Sequence, residues 1–392
     1  MGRIPFLSYS EQVGFVAMKI LVLNYEYPPV GGGGGRLTQK LCEALAALGH
    51  EVRAITAGMA HLPGRETVNG VLILRPQSLR RKEDTCSVWE MALYLVTALP
   101  TALWEAWTWR PDVVHAHFVV PSGLLALALK LLAWRPYVVT AHLGDVPGGV
   151  PDQTEGLFRL AAPLAWLVWH QASATTAVSS HVAGLAQKAW GRSPEIILNG
   201  IPPIITTPPA PQAGPLRIVM VGRLSVQKNP LLAIEALAKI ANQSWQLDVI
   251  GDGPLADAMK AAAARHSLTH KIQWSGWLEE SEVRKKLEHS DVLLMTSLQE
   301  GLPMAAVEAL WHGLAIIGSR IGGLNDVIAD TKNGNLCDLS PESFAAAISH
   351  LIQSPESLLA MKRESQSLAR HFDFAHCVAS YENTLRSAKS KK

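Results

Sequence analysis

Residues 300–313 read EGLPMAAVEALWHG. A strand-like run, DVLLMT at 291–296, enters this stretch through a short loop, and Pro303 falls where a first helical residue gains from a fixed φ. The loop is therefore expected to deliver its residues to a helix N-terminus, whose unpaired N–H groups and macrodipole suit a phosphate. Glu308 lies four residues after Met304 and three before Trp311, which places its carboxylate beside apolar neighbours rather than on a clearly solvated face. Carboxylates accept hydrogen bonds and donate none, as sugar hydroxyls require. Glu300 and Glu308 flanking an anion-binding helix end thus point to a sugar phosphate, with ordinary surface glutamates as the alternative on this stretch alone.

The chain of 392 residues exceeds one ordinary core. It suits two domains of about 150–200 residues each. Its formal net charge is +2, and outside the terminal Lys389, Lys391 and Lys392 no basic run is longer than Arg80-Arg81-Lys82, which argues against nucleic acid as a partner. Cys42, Cys86, Cys337 and Cys377 are scattered with no CxxC pair, as expected in a reducing cytoplasm, and they offer no zinc site. Residues 1–17 lack a sustained apolar run before a small-residue cleavage site and make a poor signal peptide. Met18 opens the strand-like MKILVLN directly, so the fold is expected to start there.

Strand candidates recur at 19–24, 51–57, 71–75, 112–116, 137–141, 174–178 and 195–198, mostly with helical stretches between them. The segment IPPIITTPPAPQAGP at 201–215 carries six prolines and reads as a stiff extended linker. Alternation resumes with strands at 216–221, 246–250, 271–274, 291–296 and 315–318, and a last amphipathic helix is expected from 372 onward. The fold class is α/β, with two Rossmann-like halves built on parallel sheets, and ligands are expected at the carboxyl ends of the strands. The glycine run 31–35, followed by a helix from about Arg36, permits close backbone approach to a ligand. It does not satisfy GxGxxG and there is no GxxxxGK[ST], so dinucleotide and P-loop readings lose support.

Three other features bear on chemistry. In GRLSVQKNP at 222–230, Arg223 and Lys228 stand after a strand and near a helix start, as a leaving diphosphate requires. His115 and His117 project to one face of their strand, but no third metal ligand is evident. The run MALYLVTALPTALW at 91–104 is too short to span a bilayer. Trp89, Trp104, Trp107 and Trp109 crowd it, with Trp134, Trp166 and Trp169 further on, so it is either an interfacial patch near Arg80-Arg81-Lys82 or an ordinary buried helix.

With the E-x7-E pair Glu300 and Glu308, GRLSVQKNP, GDGP at 251–254, EYPPVGGGG at 26–34 and TAHLGD at 140–145, the chain resembles the retaining glycosyltransferases of family 4, the "glycosyl transferases group 1" of GT-B fold, from about Met18 to the last helix. The resemblance implies two Rossmann-like domains facing each other across a cleft, an acceptor-side domain at 18–200 and a donor domain at 216–373. A C-terminal helix and tail at 374–392 would return to the first domain. It further implies that Arg223 and Lys228 stabilise the leaving diphosphate, that Glu300 holds donor-sugar hydroxyls and that His142 sits over the donor sugar. The implied donor-binding set is Gly33, Gly34, Gly222, Gly251, Trp277, Leu278, Leu302, Pro303, Met304 and Glu308, the last on the ribose. Neither metal nor cofactor is implied, and no DxD is present. Asn229 stands where many relatives have glycine, and Phe374 where many have tryptophan. The implied reaction is transfer of a hexose from a UDP- or GDP-sugar to a glycan or lipid-linked acceptor, in cell-surface polysaccharide or glycolipid synthesis, in the cytoplasm or at the inner face of the membrane. A GT-B nucleotide-sugar epimerase and a catalytically inactive nucleotide-sugar-binding protein are the competing readings.

Overall fold

The computed structural model describes residues 16–82, 86–204 and 214–390, and the side chains of 151–160 lie outside that description. The expected N-terminal extension therefore falls almost wholly outside the described residues, as does most of the proline-rich linker.

The first sheet contains β1 (Lys19–Leu23), β2 (Glu51–Ile55), β3 (Arg65–Val68), β4 (Val71–Leu74), β5 (Val113–His117), β6 (Tyr137–Ala141), β7 (Ala174–Ala177) and β8 (Glu195–Ile196), in the order β3-β4-β2-β1-β5-β6-β7-β8. β1, β5 and β6 read as near-continuous apolar runs, which suits central parallel strands covered on both faces. β3 pairs antiparallel with β4 and was not foreseen from the sequence; RETV lacks the apolar bias of its neighbours. Helices α1 (Gly33–Ala47), α2 (Val88–Thr108), α3 (Ser122–Ala133), α4 (Pro151–Gln171) and α5 (Ser180–Trp190) connect the strands. α1 begins inside the glycine run, three residues before the expected start. Because β1 to β2 and β4 to β5 advance in opposite directions across the sheet, right-handed crossovers put α2, α3 and α4 on the face opposite α1.

The second sheet contains β9 (Leu216–Val221), β10 (Trp245–Ile250), β11 (Ile272–Gly276), β12 (Val292–Met295), β13 (Ala315–Ser319) and β14 (Gly334–Cys337), all parallel in the order β11-β10-β9-β12-β13-β14. Its helices are α6 (Pro230–Lys239), α7 (Ala256–Arg265), α8 (Glu280–Glu288), α9 (Met304–Trp311), α10 (Pro341–Gln353), α11 (Pro355–Ala369) and α12 (Phe374–Lys389). Its core gathers Ile218, Met220, Leu247, Val249, Leu294 and Ile317 from the strands with Leu237, Met259, Phe344 and Ile348 from the helices.

The described chain divides into two compact units. One comprises the residues up to Thr140, Leu160–Thr175 and those from Glu382 onward; the other comprises Ala141–Arg159 and Thr176–Tyr381. Helix α12 thus ends in the first unit. There Glu382 meets His50 Nε2 at 3.3 Å and Lys389 meets Asp112 at 3.1 Å, which anchors the last turns beside the starts of β2 and β5.

β9 and β12 are tied at their entry by a buried ion cluster. Asp291 receives Arg217 Nε at 2.9 Å and Nη2 at 2.8 Å, and Lys362 Nζ at 2.9 Å. Burial would raise the Asp291 pKa, but the hydrogen bonds from Arg217 and Lys362 outweigh it and hold the carboxyl below its ordinary value. Asp291→Ala leaves the Lys362 ammonium buried without its partner and is expected to cost about 3 kcal/mol in urea unfolding, with Asp291→Asn intermediate. Since the folded pKa is depressed, this stability is present above the ordinary carboxylate pKa and is lost as pH falls through the folded value. Wild-type behaviour in the Asp291→Ala protein would contradict the cluster's role.

Candidate active site at the ends of strands β9 and β12

Parallel α/β sheets bind ligands where the strand order reverses, outside the carboxyl ends. In the second sheet that point lies between β9 and β12, because β10 and β11 extend from β9 on one side and β13 and β14 from β12 on the other. The loop after β9 carries Gly222, Arg223 and Lys228, and the loop after β12 carries Ser297 and Glu300. A pocket opens between them, lined by Val221, Gly222, Arg223, Lys228, Thr296 and Ser297 among others.

The two loops are stitched together. Leu298 N–H donates to the Gln227 carbonyl at 2.8 Å, Gln227 Nε2 donates to the Gln299 carbonyl at 3.0 Å, and Thr296 Oγ1 donates to the carbonyls of Lys228 and Asn229 at 3.1 and 2.9 Å. Across this join Lys228 Nζ meets Glu300 Oε1 at 2.5 Å, and Ser297 Oγ donates to the same oxygen at 2.6 Å. Glu300 is only 6% exposed, so its charge is balanced by an ammonium and a hydroxyl at one oxygen, while Oε2 takes no hydrogen bond among the described residues. That leaves an ionised acceptor for hydroxyl groups beside a cation for phosphate. Ser297, three residues before Glu300, was not singled out from the sequence; a hydroxyl in a loop carries no distinguishing pattern there.

Backbone geometry fixes the rest. Asn229 holds φ +46° and ψ +53°, a left-handed conformation that asparagine tolerates, which explains how it replaces glycine before the α6 start at Pro230. Gly251, at φ +130°, lets the GDGP turn press on the β9 loop: a Cβ there would lie 2.1 Å from the Gly222 carbonyl oxygen. Gly323, which the sequence did not flag, plays the same part against Glu300, whose carbonyl oxygen would be 1.8 Å from an added Cβ. Gly222, Gly251, Trp277 and Leu278 all stand just beyond the ends of adjacent strands β9, β10 and β11, and the Trp277 side chain is exposed.

Pro303 corrects one expectation. It is the N-cap of α9, at φ −74° and ψ +114°, and the helix begins at Met304. Its ring removes an N–H and supplies no capping side chain, so the first turn, preceded by buried Leu302, keeps its backbone donors uncovered by a cap. Glu308 is half-buried on α9, eight residues beyond Glu300 and on an element of its own.

His142 follows β6 in the unit that also holds Glu300. The N–H groups of His142 and Leu143 donate to Asp145 Oδ1 at 2.8 and 3.1 Å, which sets the loop, and Gly301 packs so closely that a Cβ would lie 2.5 Å from the His142 carbonyl oxygen. The segment with His142 therefore adjoins the Glu300 loop. Burial lowers the His142 pKa to about 4, so its ring is neutral near pH 7.

Gly33 and Gly34 form the first turn of α1 in the first unit. An added Cβ at Gly31 would strike Glu26 at 2.5 Å, whereas at Gly32 and Gly33 it would meet nothing within 4 Å. Packing thus demands some of the glycines, and the others leave an open helix N-terminus. His115 and His117 are buried with rings 4.2 Å apart, and His115 Nε2 contacts Thr140 Oγ1 at 2.8 Å. Among the described residues no three His, Cys, Asp or Glu side chains come together as a metal site would require.

Comparison with known proteins agrees with this geometry. Residues 31–203 match the model of Glycosyltransferase Family 4, and residues 205–368 match that of Glycosyl transferases group 1. The chain is 28% identical to a glycogen synthase of Mycobacterium tuberculosis H37Rv, over 95% of each protein. Among solved structures, sucrose-phosphate synthase from Thermosynechococcus elongatus superposes with a TM-score of 0.83 at 18% identity, covering 95% of this chain and 99% of that one. Anabaena HepE in complex with UDP superposes at 0.74 and 18% identity, covering 94% and 100%. Two parallel-sheet α/β halves, the cations after β9, the carboxylate after β12 and the two family matches lead to one conclusion: the chain belongs to the family 4, group 1 glycosyltransferases of GT-B fold.

Proposed function

We propose that this glycosyltransferase moves a hexose from a UDP- or GDP-sugar to a glycan or lipid-linked acceptor with retention of anomeric configuration, serving cell-surface polysaccharide or glycolipid synthesis. The observation that carries the reading is the Lys228–Glu300 pair at the switch point of the second sheet, with Arg223 on the same loop. Support for a uridine nucleotide comes from HepE, which was solved with UDP-glucose.

In this reading Arg223 and Lys228 take up the charge that grows on the diphosphate as the anomeric C–O bond breaks. Glu300 Oε2 accepts from donor-sugar hydroxyls, the N–H groups at the start of α9 approach the phosphates, and Glu308 accepts from the ribose. Because Oε1 of Glu300 is already occupied by Lys228 and Ser297, the carboxylate is held as a hydroxyl acceptor rather than as a nucleophile. The acceptor oxygen then attacks from the face the leaving group departs, and its proton passes to the departing phosphate oxygen. His142, neutral by burial, packs beside this site as a hydrogen-bonding group and not as a cation. No metal is needed for these roles, and a chelator is expected to leave turnover unchanged. The four cysteines are free, which fits a cytoplasmic enzyme.

Thermal shift against UDP-, GDP-, ADP- and TDP-sugars is the first test, since a ligand of the native state stabilises it by mass action. One nucleotide series should raise the melting temperature; a folded protein that responds to none would sink the donor site. Product analysis with donor alone separates transfer from epimerisation.

Lys228→Ala is expected to lower kcat by about 10²-fold or more with the acceptor KM little changed, because it removes charge stabilisation realised in the transition state. Turnover within about twofold of wild type would refute the phosphate assignment.

A pH experiment tests His142. Its folded pKa, about 4, lies below the ordinary 6.5, so its contribution to stability is full above pH 6.5 and is lost as pH falls toward 4. Urea unfolding should show His142→Gln losing about 3 kcal/mol less than wild type on acidification through that window. Parallel pH profiles would mean that the ring is not buried as a neutral group.

A further inference from the structure

The arrangement of α2 inverts the usual pattern of a helix lying on a sheet. Its inward face is made of Tyr94, Ala98, Ala102 and Ala106, while Trp89, Val96, Trp104 and Trp107 point outward. Those outward residues, with Pro100, follow helical spacing along the full length of the helix. Trp89 is 82% exposed and Trp104 66% exposed. The expectation of an ordinary buried helix therefore fails on this face: three alanines sit inside with Tyr94, and the tryptophans stay out. Trp109 shows the contrast, since it is buried with Nε1 bonded to Glu51 at 3.1 Å.

Neighbouring helices extend the same surface. α3 packs along α2 and exposes Leu131, Leu132 and, at its left-handed C-cap, Trp134 at 84%. That cap conformation ordinarily belongs to glycine or asparagine, so nothing local favours an indole there. α4 is tied to α3 by Lys130 Nζ, which donates to the Gln171 carbonyl at 2.5 Å, and it exposes Leu164 and Trp166. Five half- to largely exposed indoles, at about 200 Å² each, present on the order of 700 Å² of aromatic surface, above the largest apolar patch of a typical monomer.

Basic groups gather beside this surface among the described residues, and the carboxylate that acts on Arg135, Asp112, is paired with Lys389 at 3.1 Å. Arg110 and Arg135 stand at the C-terminal ends of α2 and α3, close enough that Arg110 helps to lower the Arg135 pKa after burial, and Arg81 and Lys82 are exposed ahead of α2. Both carboxylates of α2 are engaged: Glu90 in the Ser87 capping box and Glu105 with Arg53 at 2.6 Å. Glu83 and Asp84 lie outside the described residues. No described helix is long and apolar enough to cross a membrane. Indoles at the level of the headgroups with cations at the rim match the chemistry of an anionic bilayer surface, which attracts basic side chains and accommodates amphipathic rings.

We propose that the outward face of α2, α3 and the end of α4 docks on an anionic lipid bilayer, with Trp89, Trp104, Trp107 and Trp134 entering the headgroup region and Arg110 and Arg135 meeting lipid phosphates. The docking stands independently of the sugar-transfer reading, because none of Arg223, Lys228, Glu300 or His142 takes part in it.

The test is co-sedimentation of the full chain with vesicles of phosphatidylcholine alone and of phosphatidylcholine mixed with phosphatidylglycerol, with analytical ultracentrifugation of the protein by itself. Wild type is expected to bind the mixed vesicles about tenfold or more better than the neutral ones, less so at high salt. Trp89→Ser with Trp104→Ser and Trp134→Ser should lower that binding by about tenfold or more, and Arg81→Glu with Arg110→Glu should remove the preference for the anionic lipid. Melting temperature and turnover on a soluble acceptor should be unchanged in both variants. The single exposed change Trp89→Ser keeps the test decisive if the triple variant does not fold. Equal recovery of wild type and tryptophan variants with vesicles overturns the proposal. So does absence of vesicle binding together with self-association that the tryptophan changes abolish, which would give this face to a second copy of the chain.

Discussion

The pairing of β9 with β12 is the constraint on which the donor half depends. At its entry Asp291 joins Arg217 on β9 to Lys362 on α11, and at its exit Glu300 joins Lys228. Each is a carboxylate nearly removed from water, Asp291 compensated by two cations and Glu300 by an ammonium and a hydroxyl, a combination that is costly to break from one side. The same two contacts differ in consequence. At the entry both oxygens of Asp291 are bonded, to Arg217 and to Lys362. At the exit Glu300 keeps one oxygen unengaged among the described residues, so the electrostatics that hold the loops together also leave a group for a ligand.

Glycine does the complementary work of letting backbones meet. The GDGP turn presses on the Gly222 carbonyl through Gly251, and the short 3-10 turn Gly322–Leu324 presses on the Glu300 carbonyl through Gly323. Both contacts come closer than any side chain would allow. The loops that carry Arg223, Lys228 and Glu300 are consequently braced from either side of the switch point, which pre-organises the charges a nucleotide diphosphate would meet.

In the first unit the packing solution has a different cost. Beyond Tyr94 the inward apolar residues of α2 are alanines, while Trp89, Val96, Trp104 and Trp107 are turned outward. A helix with bulky residues inside would cover the sheet equally well and leave a polar exterior. The choice of alanine inside and tryptophan outside is thus a property of the surface rather than of the core.

Much of this architecture is present in the order of residues. Buried runs such as LRIVMV and VLLM, the helix start at Pro230 and the alternation of strand and helix specify two parallel α/β halves, because period and turn chemistry are local. Arg223, Lys228 and Glu300 were legible as loop residues beyond the ends of β9 and β12 for the same reason, since charged residues interrupt the apolar runs there. What the sequence could not decide is anything that depends on a distant carbonyl or on the direction a helix faces. Pro303 as an N-cap, Ser297 as the second donor to Glu300, Gly323 against the Glu300 carbonyl and the outward turn of the tryptophans all depend on neighbours the local pattern does not name. The sequence by itself determined the two sheets and the chemical types at the strand ends, while only the tertiary structure decided which oxygen of Glu300 stays open and which face of α2 meets the surroundings, since both follow from close packing between segments far apart in the chain.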